Sequence, residues 1–98
     1  MNRKTLIQKL KKYLLQSKYS SNIKSLKLFG SYARDEQKEK NDLDLLLEVK
    51  EENFSLLDLI DMENEISDFL KIKVDLLTPN SLSPYFKNEV LKTAINII

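Results

Sequence analysis

Hydrophobic and polar positions recur along this chain with two different periods, and the changes between them mark out its elements. Near the start Leu6, Leu10, Tyr13 and Leu14 fall at i, i+4, i+7 and i+8, with Lys9, Lys11 and Lys12 between them. That spacing predicts an amphipathic helix over about residues 3–18. Ser20-Ser21-Asn22 breaks it. From Ile23 to Phe29, Leu26 and Leu28 share one side and Lys27 takes the other, which predicts a short strand running into Gly30. Ser31 is a suitable helix start, and Asp35 to Asn41 contains no apolar residue, so a short helix over 31–37 and an exposed loop are expected. A second strand follows from Asp42 to Val49. Leu43, Leu45, Leu47 and Val49 line one of its faces, and Asp42, Asp44, Leu46 and Glu48 the other.

Ser55 with Asp58 three residues on resembles a capping box, and Leu59, Ile60, Ile66, Phe69 and Leu70 supply the stripe of a second long helix. Lys71 to Leu77 reads as a third strand, with Ile72, Val74 and Leu76 on one face and Asp75 on the other. Thr78-Pro79-Asn80 ends it. Ser83-Pro84 then sets an N-cap and an N1 proline for a last helix carrying Phe86, Val90, Leu91 and Ala94. The apolar end, Ala94 to Ile98, is expected to pack on the chain's own core or in a homodimer, with docking to a partner as the alternative. The predicted order is α-β-α-β-α-β-α, an α/β (α+β) arrangement with a small mixed sheet packed by helices. The first two strands are compatible with antiparallel pairing, and strand, long helix, strand over 42–77 favours a parallel crossover.

Composition narrows the function. At 98 residues the chain is the size of one domain, read as 1–98, so much of any substrate surface must come from the other molecule. Apolar residues at 42% and charged residues at 32% allow a core and a solvated surface. The net charge of +1 provides no field for gripping nucleic acid. With neither Cys nor His, disulfides and the usual zinc sites are excluded. The Lys-rich start and the lack of an apolar run near about 18 residues point to a cytoplasmic protein with no membrane span.

Within that frame a few residues suggest chemistry. Gly30, the single glycine, stands where a strand gives way to a helix start. The following N–H groups and the Ser31 hydroxyl suit a phosphate, although a plain turn and cap would use the same residues. Asp42 and Asp44, two apart on a strand, project from one face. Their repulsion is relieved by a cation, and hard oxygen donors suit Mg²⁺ or Mn²⁺. A solvated strand end is the alternative. Asp75 interrupts an apolar strand, where an unpaired carboxylate is costly, so it either joins the other two or forms an ion pair with Lys or Arg. Arg34 lies one turn after Ser31, placed either to meet a phosphate or to face solvent.

Gly30-Ser31, ten residues, then Asp42-Leu43-Asp44 is a spacing that average composition yields in about one in 1,000 chains of this length. The stretch GSYARDEQKEKNDLDLLLEV closely resembles the signature of the DNA polymerase beta-like nucleotidyltransferase superfamily. The short chain, KVDLLTP and the closing helix after LSPYF resemble its minimal nucleotidyltransferase branch, the MntA-like antitoxins paired with HEPN toxins. The resemblance implies the nucleotidyltransferase fold, with Gly30 and Ser31 on the phosphates of ATP. It makes Asp42 and Asp44 ligands of Mg²⁺, Asp75 the third carboxylate, and Arg34 a further phosphate contact. It implies transfer of AMP from ATP to a hydroxyl, such as a tyrosine of a HEPN-type toxin, assisted by two metal ions. Asp35 and Asn41 depart from the branch, which usually has Gly and often Ser there, and Asp35 adds a negative charge near the expected triphosphate. Two other functions fit the same residues: an antitoxin that neutralises its toxin by binding alone, and a nucleotidyltransferase for a small molecule.

Overall fold

A computed structural model describes residues 2–34, 42–50 and 53–98. The first helix, α1 (Arg3–Gln16), begins where the Asn2 side chain accepts the Thr5 N–H, and it buries Leu6, Leu10, Tyr13 and Leu14, the predicted stripe. A 3₁₀ turn at Ser20–Asn22 leads into β1 (Ile23–Phe29). Ser31–Arg34 then form a turn in which the Arg34 N–H donates to the Gly30 carbonyl at 3.2 Å. The rest of the short helix expected over 31–37, and the loop through Asn41 with its unusual Asp35, lie outside the described residues.

Strand β2 (Leu43–Val49) is followed by α2 (Leu56–Leu70), whose start carries the predicted capping box: Ser55 and Asp58 each accept the other's backbone N–H. The helix ends on Lys71 at φ 61°, a left-handed closure, so β3 (Val74–Leu77) begins later than expected. A 3₁₀ turn at Pro79–Ser81 precedes α3 (Pro84–Thr93), which has the anticipated N1 proline. A two-residue strand, β4 (Ile95–Asn96), closes the chain.

The sheet order is β3-β2-β1-β4, with β1 antiparallel to both β2 and β4 and β2 parallel to β3. The small mixed sheet therefore matches expectation. Its fourth strand does not, because two residues carry no legible alternation. The apolar tail packs on its own sheet: the Ile97 N–H donates to the Leu26 carbonyl at 2.8 Å, and Ile97 is buried.

The two faces of the sheet have different roles. One face, bearing Leu26, Leu28, Leu43, Leu45, Leu47, Val74 and Leu76, is covered by α1 and α2 and forms the main core. On α2 the inward stripe is Met62, Ile66 and Leu70 with Leu59 alongside, whereas Ile60 and Phe69 remain exposed. The Tyr13 hydroxyl donates to Glu65 at 2.7 Å and that of Tyr19 to Asp61, fastening the first segment to α2. The opposite face is only partly covered. There Phe29, Leu46 and Val90 form a second apolar group that seats α3 over one end of the sheet. Of the stripe expected on α3, Val90 is buried, while Phe86 and Leu91 stay exposed. No described helix is long and apolar enough to cross a membrane.

Candidate functional site

The uncovered part of that second face is a cavity of about 680 Å³. Strand pairing dictates what lines it. Asp44 stands opposite Phe29 on β1 and opposite Asp75 on β3, so one row across three strands reads Phe29, Asp44, Asp75. Side chains alternate along each strand, so this row points away from the main core while Leu43, Leu45, Val74 and Leu76 point into it. Asp42 adjoins the start of β2, and Gly30-Ser31 follows the end of β1. All six residues singled out in the sequence, Gly30, Ser31, Arg34, Asp42, Asp44 and Asp75, line this cavity, and Phe86, Glu89, Val90 and Thr93 of α3 form its other wall.

Gly30 has a φ of 73°, a conformation that costs a side-chain-bearing residue free energy. A Cβ there would run into the Asp44 carboxylate and sit 3.2 Å from its carbon. A glycine at a strand end leaves room for a ligand to approach the backbone. The structure adds that it leaves room for a carboxylate of the chain's own. The turn after it is pinned from below, since Tyr32 and Ala33 are buried in the main core and the Arg3 guanidinium donates to the Ala33 carbonyl at 3.0 Å. Sequence reading passed over Tyr32, Ala33 and Arg3, although two apolar residues directly after Gly30-Ser31 were a signal that the turn is anchored.

Burial pushes the Asp44 carboxyl above its ordinary value, the charges of Asp75 and Asp42 push it further, and Arg34 opposes them. Asp42 meets Lys73 Nζ at 3.6 Å, so the lysine offsets part of the local charge. Among the described residues the cavity lining carries four carboxylates, Asp42, Asp44, Asp75 and Glu89, against the Arg34 guanidinium. An excess of negative charge at a half-buried site favours a cation, and carboxylate oxygens fit a hard divalent one such as Mg²⁺. The donor chemistry and the charge therefore suit the metal. No three acidic side chains among the described residues form a closed ligand cluster, Asp42 being engaged with Lys73.

Comparison with known proteins shows the family and the fold. The sequence profile of the family described as "Polymerase beta, Nucleotidyltransferase" matches residues 8–98. A candidate protein adenylyltransferase of Methanocaldococcus jannaschii, MJ1217, is 48% identical over 95 residues, spanning 96% of this chain and 93% of that one. The solved structure of a candidate minimal nucleotidyltransferase superposes with a TM-score of 0.81 at 32% identity, covering 97% of this chain and 95% of the other. The fold is also that of the antitoxin in a complex of a tri-AMPylated Shewanella oneidensis HEPN toxin with its MNT antitoxin. There the TM-score is 0.71 at 19% identity, over 98% of this chain and 71% of that one.

Proposed function

This chain belongs to the polymerase beta nucleotidyltransferase family, and from that premise we propose that it transfers AMP from ATP to a hydroxyl of a partner protein, a tyrosine of a HEPN-type toxin, and so acts as an antitoxin. The observation that carries the reading is the row placing Asp44 beside Asp75, in one cavity with Gly30-Ser31 and Arg34. The tri-AMPylated HEPN toxin bound by a protein of this fold supports a HEPN toxin as the acceptor protein.

Each group has a task that follows from its chemistry. The N–H groups after Gly30 and the Ser31 hydroxyl donate to phosphate oxygens, and Arg34 adds a positive charge on the same side of the cavity. Asp42, Asp44 and Asp75 would hold Mg²⁺, with Asp42 exchanging its contact with Lys73. When bound, the metal neutralises charge on the phosphates and makes the acceptor hydroxyl more acidic. The acceptor oxygen attacks the α-phosphorus, a new P–O bond forms, and the bond to the bridging oxygen breaks to release pyrophosphate. Asp75 would orient the acceptor hydroxyl and take its proton, a task that falls to a carboxylate in a chain without histidine.

The test is mass spectrometry of a HEPN partner after incubation with this protein, ATP and Mg²⁺. The expected result is an AMP adduct on the partner that Asp44→Asn abolishes while the variant stays folded. Toxin neutralisation without an adduct would favour an antitoxin that works by binding alone. An adduct formed by Asp44→Asn at the wild-type rate would remove the carboxylate assignment.

A further inference from the structure

We propose that the α3 wall of the cavity is the nucleobase subsite, with the Phe86 ring as the surface on which the base of a nucleoside triphosphate stacks. The proposal rests on the nucleotide reading above and extends it to the part of the ligand that does not react. The two ends of the cavity differ in polarity. Gly30, Ser31, Arg34 and the three aspartates stand at the strand ends, and Phe86, Glu89, Val90 and Thr93 stand on α3. A nucleotide has the same division, a charged phosphate chain joined through its sugar to a flat, uncharged aromatic ring.

Phe86, Glu89, Val90 and Thr93 fall at i, i+3, i+4 and i+7, so they form one stripe along the helix. Val90 is buried against Phe29 and Leu46, which fixes the rotation of α3 and therefore where Phe86 stands. The Phe86 ring nevertheless remains 50% exposed while lining the cavity. A large aromatic surface held half in water on a cavity wall suits stacking on a base, which tolerates any base because each has a π face.

Glu89 sets the direction. With Mg²⁺ offsetting the three aspartates at the Gly30-Ser31 and Arg34 end, Glu89 is the carboxylate left to repel phosphate, so the triphosphate is favoured at that end and the uncharged base at the α3 end. The same carboxylate accepts hydrogen bonds and so suits the N–H edge of a base. The Thr93 hydroxyl already donates to the Glu89 and Val90 carbonyls within the helix, and it has no part in the proposal.

The test compares binding of ATP and of inorganic tripolyphosphate, both with Mg²⁺, to wild type, Phe86→Ala, Phe86→Leu and Phe86→Tyr. Phe86→Ala and Phe86→Leu are expected to weaken ATP about five-fold or more. Tripolyphosphate affinity should be unchanged, and Phe86→Tyr should restore ATP binding. Equal ATP affinity in wild type and Phe86→Ala overturns the assignment while leaving the nucleotide reading in place. So does an equal loss of ATP and tripolyphosphate in Phe86→Ala, which would mark a change in the phosphate end. A wild-type protein that binds neither ligand overturns the nucleotide reading and this inference with it.

Discussion

At the scale of single residues the site depends on one exchange of space, in which Gly30 gives up a side chain and Asp44 takes the volume. Two effects act against any substitution there. A φ of 73° costs an alanine about 1 kcal/mol or more, and its Cβ collides with the Asp44 carboxylate. Gly30→Ala should therefore lower the unfolding free energy by roughly 2 kcal/mol or more, measured by urea denaturation. In an Asp44→Ala background the collision with the carboxylate is gone and the backbone cost remains, so the penalty should fall to about half. Equal penalties in the two backgrounds would show that the carboxylate does not occupy that space. The pairing of these residues was only partly legible in the sequence. The spacing from Gly30-Ser31 to Asp42 and Asp44 singled out both, and strand periodicity added Asp75. The close approach of Gly30 to Asp44 depends on the antiparallel register of β1 and β2, which the sequence does not specify.

At the scale of elements, what was legible divides according to whether an element buries one face or two. The stripe of α1 was legible because its other side is lysine-rich, even though Leu15 stands exposed on that side. On α2 and α3 apolar residues occur all round. Ile60, Phe86 and Leu91 fit the pattern without packing into the core, Phe69 reaches only the Tyr13 ring at its margin, and Met62 was passed over. The edge strand β3, which carries Asp75, shows how an element outside the site supports it. Its Leu76 N–H donates to the Glu63 carboxylate at 2.8 Å, so a side chain of α2 satisfies a donor on a strand with one sheet neighbour. Glu63→Ala leaves that N–H without its acceptor and should cost about 1 to 2 kcal/mol in chemical denaturation. Glu63→Gln keeps a carbonyl acceptor and should cost about half as much. If the two variants prove equally stable, the hydrogen bond contributes nothing to holding β3.

At the scale of the whole molecule, a net charge of +1 conceals a strong local imbalance, because among the described residues the cavity lining carries four carboxylates against Arg34. That imbalance determines how the fold responds to its ligands. A triphosphate approaching these carboxylates alone meets like charge, and the binding of one Arg34 guanidinium does not offset it. With Mg²⁺ present the charges alternate, and each ligand makes the other's binding more favourable. A ligand that binds only the folded state stabilises it by about 2.7 kcal/mol at one hundred times its dissociation constant. In a domain of this size that raises the melting temperature by roughly 10 °C or more. ATP with Mg²⁺ should produce such a shift in a thermal melt, and ATP in the presence of EDTA should produce little. A shift of the same size in EDTA would mean that Arg34 and the Gly30-Ser31 turn hold the nucleotide unaided, and that the three aspartates owe their convergence to something other than a metal.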